Sequence, residues 1–311
     1  MTYLNKLADL ELILITIYCF VDDFLKGVVQ RISHALMKPN QSTPPTKKHN
    51  LSVAELVSLA LFRFFTGIRN WKQFHRFVRT YHANDVPHLP NYQNFISSMN
   101  HLSCLAALML QGLINFFRSI TGFDGIKIAD STKLEVCKIK REFTHKVAKS
   151  IAHKGKSTMG WFYGFKLHLI CNELMQILGI KITSGNLDDR KGLDMMWNEI
   201  FGIIIADAGY LGQNWIQKAW SLGKRLLTAV KANMRKIMTS VQHQLLSLRQ
   251  RIESVFSVLK VRLGLETSLP RSVLGHLAHY LWCITAYQVD QLFSFVFNRE
   301  PNLLKSKQLL A

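Results

Sequence analysis

The sequence predicts an α/β protein: a mixed sheet flanked by helices, preceded by an all-helical region and followed by C-terminal helices. Three observations predict it. Short apolar runs begin at Gly125 and recur to about Asn233, several bounded by Gly, and such runs read as strands buried in a sheet. Helical spacing appears between the later runs and again after them. Before residue 121 the chain carries helical periodicity and helix caps, with no strand texture. Hydrophobic residues make up 48% of 311, enough for a substantial core in one large domain or two modest ones.

A first helix is expected from about Leu4 to Met37. Its most apolar part, Leu10 to Val21, is only about twelve residues long, short of the ~20 a membrane span needs. Glu11, Asp22 and Asp23 lie within or beside it, so it reads as a buried helix. No basic region with a small-residue cleavage site precedes it, and no signal peptide is expected. Lys38 to Asn50 holds three prolines and three lysines and reads as an exposed linker. Ser52-Val-Ala-Glu55 then opens an apolar helix with a capping-box pattern, ending near Gly67. Further helices are expected from Asn70 and from Asn91, the latter after Pro87 and Pro90. Arg69, Lys72, Arg76 and Arg79 alternate with apolar positions there. These three helices suit a helix-turn-helix-like DNA reader or a plain bundle with a solvated basic face.

The strand texture starts with GIKIAD (Gly125 to Asp130). FYGFKLHLICN (Phe162 to Asn172) and QILGIKITSGN (Gln176 to Asn186) follow, then a helix from about Asp189 to Ile200. GIIIAD (Gly202 to Asp207), a helix around Leu211 to Ser221 and KRLLTAVKAN (Lys224 to Asn233) come next. One long helix is expected from about Val241 to Leu263. Tyr280 to Phe297, interrupted by Gln288, Asp290 and Gln291, reads as an amphipathic helix. The expected division is a helical region at 1–120, a sheet-bearing domain at 121–265 and a helical segment at 266–311.

Thirty-nine Lys and Arg against twenty Asp and Glu give a formal charge of +19, which argues for a polyanionic partner. With no membrane span expected, nucleic acid is the better candidate. Residues 208–252 contain no acidic side chain but eight Lys or Arg, among them Lys224, Lys231 and Arg235. The run suggests a groove that tracks a phosphate backbone. Trp161, Trp215 and Trp220 are expected to pack in the core. Five cysteines with no CxxC spacing exclude the usual zinc patterns and a secreted disulfide framework, so a cytoplasmic location is expected. His276 and His279 read as ordinary helix histidines.

The chemistry resides in three carboxylates. Under strand alternation Asp130 shares a face with Ile126 and Ile128, and Asp207 with Ile203 and Ile205. A carboxylate at the edge of such a core loses hydration and needs a compensating cation. On an unbroken helix at ~100° per residue, Arg249, Glu253 and Lys260 fall within about 40° of one another. That stripe borders the apolar arc of Ile252, Val255, Phe256 and Leu259. Three oxygen ligands from separate elements suit Mg²⁺, and a two-metal site activates water or a 3′-hydroxyl for in-line attack on phosphate.

These residues resemble the DDE transposases of bacterial insertion sequences. Asp130-Ser-Thr is similar to the family's first-aspartate motif, and Ala206-Asp207-Ala-Gly209-Tyr210 to the second, where Ala-Asp-Lys-Gly-Tyr is common. Arg249-x3-Glu253-x6-Lys260 matches the last three positions of the signature Tyr-x2-Arg-x3-Glu-x6-Lys. Leu246 stands at the tyrosine position and Ala208 at the common lysine. Gly164 to Ile170 and Asn186-Leu-Asp-Asp-Arg190 also look like recurring family segments. The resemblance implies an RNase-H-like core in which Asp130, Asp207 and Glu253 are catalytic and hold two Mg²⁺, with Mn²⁺ as a substitute. Arg249 and Lys260 would grip phosphates beside the cut; Lys166, His168, Lys231 and Arg235 are further expected DNA contacts. Asp188 or Asp189 is expected to cap the following helix. Implied partners are double-stranded DNA, as terminal inverted repeats and as target, and a second copy of the chain. A non-catalytic DNA-binding protein and a structure-selective nuclease are the other readings.

Overall fold

The computed structural model describes residues 3–35, 51–157, 160–210, 213–228, 239–267 and 269–301. The expected linker at Lys38 to Asn50, and Lys231 and Arg235, lie outside the described residues.

Five helices precede the sheet: α1 (Tyr3–Ala35), α2 (Val53–Phe65), α3 (Trp71–Tyr81), α4 (Tyr92–His101) and α5 (Ser103–Thr121). Local chemistry sets their starts. Ser52 and Glu55 form the reciprocal capping box expected of them. Asn70 accepts from the amides of Lys72 and Gln73, and Asn91 from that of Asn94, satisfying donors the first turn leaves open. The Leu10 to Val21 stretch of α1 is not fully buried as expected. Leu10, Ile17 and Val21 are covered while Leu12, Ile15 and Tyr18 are exposed, so α1 lays one face on α2. By length and composition α5 is apolar enough to cross a bilayer; in this fold it packs against the helix Val273–Val296 and the strand Ile177–Ser184.

The sheet has six strands: β1 (Lys127–Cys137), β2 (His153–Ser157), β3 (Gly160–Asn172), β4 (Ile177–Ser184), β5 (Gly202–Ala206) and β6 (Lys224–Thr228). Their order is β2-β3-β1-β5-β6, with β4 also paired to β3. β1 runs antiparallel to β3 and parallel to β5, and β5 is parallel to β6. A mixed sheet flanked by helices is therefore the observed architecture. Alternation buries both faces. Ile128, Leu134, Leu167 and Leu169 join a core with α2, α5 and the later helices Gln250–Ser257 and Val273–Val296, while Ala129, Ile170, Ile204 and Trp197 pack on the other side.

The remaining helices are α6 (Asp189–Asp194), α7 (Gln213–Ser221), α8 (Ser240–Ser247), α9 (Gln250–Ser257) and α10 (Val273–Val296). Two expectations are corrected here. The single helix from Val241 to Leu263 is broken: the amides of Leu248, Arg249, Arg251 and Ile252 each bond three residues back, and a π-helical turn follows α9 over Val258–Arg262. Nor is α10 amphipathic, for Gln288, Asp290 and Gln291 are all buried. Gln288 accepts from the Ile177 amide at 3.1 Å and donates to its carbonyl at 2.9 Å, so a polar residue in the core completes the backbone pairing of β4.

Candidate active site

Asp130 lies inside β1, not at its end as the sequence suggested, because the strand continues to Cys137. The parallel pairing of β1 with β5 matches Lys127 to Ile204 and Ile128 to Ile205. Continued two residues further, that register sets Asp130 level with Asp207, the first residue beyond β5. Adjacent strands lie about 4.8 Å apart, so the two carboxylates sit side by side on neighbouring backbones.

One guanidinium joins them. Arg249 Nη2 is 3.8 Å from Asp130 Oδ2 and Nη1 is 3.2 Å from Asp207 Oδ1. The side chain of Asp130 is 21% exposed and that of Asp207 51%. Burial pushes the Asp130 carboxyl up to about 6. The Ser131 amide and Arg249 pull against that rise, while Asp207 and Asp189 add to it. Asp130 is thus a poorly hydrated acid that gains by holding a positive charge.

Behind the pair is a polar network that sequence reasoning missed. Ser131 Oγ donates to Asp189 Oδ1 at 2.7 Å, and Lys166 Nζ reaches the same oxygen at 3.1 Å. The adjacent Asp188 caps α6, accepting from the Arg190 amide at 2.9 Å, so of the two candidate caps only Asp188 serves and Asp189 turns inward. Tyr210 is buried. Burial first, then the carboxylates of Asp130 and Asp189, drive its phenol upward, and Ser131 beside it holds the phenol down a little. The residue after the first aspartate therefore meets the tyrosine of the second motif. The signal was present in Asp130-Ser131 and Gly209-Tyr210, but nothing local tied one to the other.

The expected DNA contacts are mostly occupied within the chain. His168 is 1% exposed, bonds Thr183 Oγ1 through Nε2 at 2.8 Å, and is pushed down to about 4 by burial. It and Lys166, both expected DNA contacts, lie against Asp189, at 3.9 Å and 3.1 Å. Lys260 donates to the Lys133 carbonyl and lies 3.6 Å from Glu266. Glu253 is exposed on α9. The helix break and π turn dissolve the uniform stripe of Arg249, Glu253 and Lys260. Among the described residues, no group of three or more His, Cys, Asp or Glu side chains is disposed to hold a metal.

Two tryptophans also depart from expectation. Trp161 is 57% exposed, with Lys154 and Lys156 over its ring, and Trp220 is 67% exposed beside Arg225. Trp215 alone stacks inward, on Trp197. Lys224, counted among the basic surface, is buried over the rings of Trp197 and Phe201.

The family model described as "Transposase DDE domain" matches residues 120–273. No curated protein matches the sequence. A solved structure described as a cryo-EM structure of the piggyBac transposase synaptic complex with hairpin DNA is similar at a TM-score of 0.45 and 8% identity. The match spans 86% of this chain and 71% of that one. The part of the chain that resembles a transposase DDE domain is thus residues 120–273, which carry Asp130, Asp207, Arg249 and Glu253.

Proposed function

We propose that this chain is the transposase of a bacterial insertion sequence, cutting DNA at the element's ends and joining the freed 3′-hydroxyl to target DNA. The observation that carries the reading is the parallel register that sets Asp130 beside Asp207, with one cation already shared between them. Oxygen donors so placed suit Mg²⁺, and the lost hydration of Asp130 favours a cation there, so this pair fits a divalent ion. Glu253, exposed on α9, the helix packed against β1 and β3, would complete the set.

When bound, two Mg²⁺ ions, or Mn²⁺ in their place, would activate the attacking oxygen and stabilise the leaving one. The chain's own residues do the rest. Asp130, Asp207 and Glu253 supply the negative charge. Ser131, Tyr210 and Asp189 hold the first two motifs in register, in a core of RNase-H-like type. Arg249 and Lys260, with Lys231 and Arg235, contact phosphates near the cut. Exposed Trp161 and Trp220, each beside cations, suit unpaired bases. The basic face of α3, with Lys72, Arg76 and Arg79 exposed, suits the terminal repeat, so residues 1–120 would form the end-binding region and 121–265 the catalytic one. Holding two ends together calls for at least a dimer, acting in the cytoplasm.

The test uses the purified full chain, DNA carrying the coding region with its natural flanks, and Mg²⁺. Nicked and joined products are expected from the parent and none from Asp130→Asn. Equal cleavage by that variant would refute the assignment. Cleavage without joining would favour the nuclease reading. End-specific, salt-sensitive binding without products would favour a non-catalytic DNA-binding protein.

A further inference from the structure

We propose that Arg249 is a built-in counter-cation of the metal pocket, so that a divalent ion binds Asp130 and Asp207 only as the guanidinium leaves. The inference rests on the metal-dependent reading above and names a residue that regulates it. Three observations converge. First, a single guanidinium faces both carboxylates, at 3.8 and 3.2 Å, and so neutralises the charge a metal would neutralise. Arginine does not deprotonate in proteins, so the pocket cannot be vacated by loss of a proton; the positive group has to move.

Second, the resting contact is incomplete. Arg249 Nε is buried without a hydrogen-bond partner among the described residues, and the Asp130 contact is longer than a good charge-assisted hydrogen bond. A side chain selected only to lock the strands together would use its fork fully. Third, Arg249 occupies a joint. It precedes α9 with no side-chain cap, in the run of three-residue backbone bonds that separates α8 from α9. The π turn at Val258–Arg262 closes the other end. The eight-residue helix between these irregularities carries Glu253, four residues from Arg249. A guanidinium withdrawn from the two aspartates leaves room there for a third ligand. Withdrawal of Arg249 thus opens the pocket and frees a cation for a phosphate in one step, and by linkage each ligand then favours the other.

The experiment measures Mn²⁺ affinity by titration calorimetry on the metal-stripped full chain without DNA. Arg249→Gln is expected to bind Mn²⁺ at least about fivefold more tightly than the parent, the lower end of ordinary coupling. Arg251→Gln removes an equal charge from an exposed neighbour and is expected to match the parent. Arg249→Lys keeps the charge but cannot fork to two carboxylates, so it is expected to fall between parent and Arg249→Gln. It carries the test if the glutamine variant does not fold. Parent-like or weaker binding by both Arg249 variants would overturn the proposal, as would an equal gain in Arg251→Gln. Parent binding that survives Asp130→Asn unchanged would place the metal elsewhere and overturn the functional reading itself. Absence of Mn²⁺ binding in every variant would overturn both.

Discussion

Ser131 Oγ donates to Asp189 Oδ1 at 2.7 Å, tying the residue after Asp130 to the first turn of a helix 58 positions further on. The same oxygen receives Lys166 Nζ at 3.1 Å, and the Lys166 side chain is only 12% exposed. Asp189 therefore holds strand β1 and strand β3 in one arrangement. Asp189→Ala removes the counter-charge of a largely buried ammonium, leaving it the Leu187 carbonyl at 2.9 Å, and the partner of a hydroxyl, and is expected to cost about 1–3 kcal/mol. Urea unfolding measures it. A midpoint equal to the parent's would show that the network does not hold the strands.

The raised Asp130 carboxyl gives stability a signed pH dependence. Its proton is held more tightly in the folded state, at about 6 against 3.8, so its contribution is full below pH ~4 and is lost as pH rises through about 6. His168, His276 and His279 are pushed by burial to about 4, 4 and 3. Their contributions are full above the ordinary histidine value of 6.5 and are lost as pH falls toward those values. The two trends oppose each other across the same window, so the parent's curve alone hides Asp130. The difference between Asp130→Asn and parent isolates it: relative stability of the variant should rise by roughly 2 kcal/mol from pH 4.5 to 7.5 in metal-free buffer. Thermal melts at the two pH values read this directly. A flat difference would mean that Asp130 is hydrated.

Gly192 in α6 lies against the ring of His168. A methyl at position 192 would meet Nδ1 at 2.3 Å and Cε1 at 2.4 Å. The ring is buried and tied to Thr183, so it has no free direction to retreat. Gly192→Ala is expected to cost about 1–3 kcal/mol through overpacking. The cost should largely vanish in a His168→Ala background, giving a positive coupling in a double-mutant cycle. Equal costs in both backgrounds would show that the helix shifts instead.

Which of these features the sequence could reveal follows from where their causes lie. Ser52, Asn70 and Asn91 were readable as caps because a cap bonds its own first turn. The runs GIKIAD and GIIIAD were readable as strands, but their common level depends on a parallel pairing 77 positions apart. Asp188 and Asp189 are equivalent in local chemistry; only Ser131 and Lys166, distant in sequence, decide which turns inward. Gln288 in α10 looked solvated because its partner is strand backbone over a hundred residues away. A uniform 100° rotation cannot register a slip in backbone bonding, so the breaks flanking α9 were invisible. β2, whose sequence His-Lys-Gly-Lys-Ser is polar at four of five positions, had no apolar pattern to betray it.

Glu253 and Asp130 should separate cleanly when stability and chemistry are measured on the same variants. Glu253 is exposed on α9 with no core contact to lose, so Glu253→Gln is expected to leave stability within about 0.5 kcal/mol of the parent. If Glu253 joins the aspartates only in the metal- and DNA-bound state, the same substitution should still lower cleavage by at least about a hundredfold, since such a loss belongs to the transition state alone. Asp130→Asn should change both quantities. Unfolding curves and initial cleavage rates from one set of preparations decide the matter. Parent-like cleavage by Glu253→Gln would remove it from the chemistry. A cleavage defect in Asp189→Asn larger than its stability loss would then transfer the third carboxylate's role to Asp189, which already lies close enough to raise the Asp130 carboxyl.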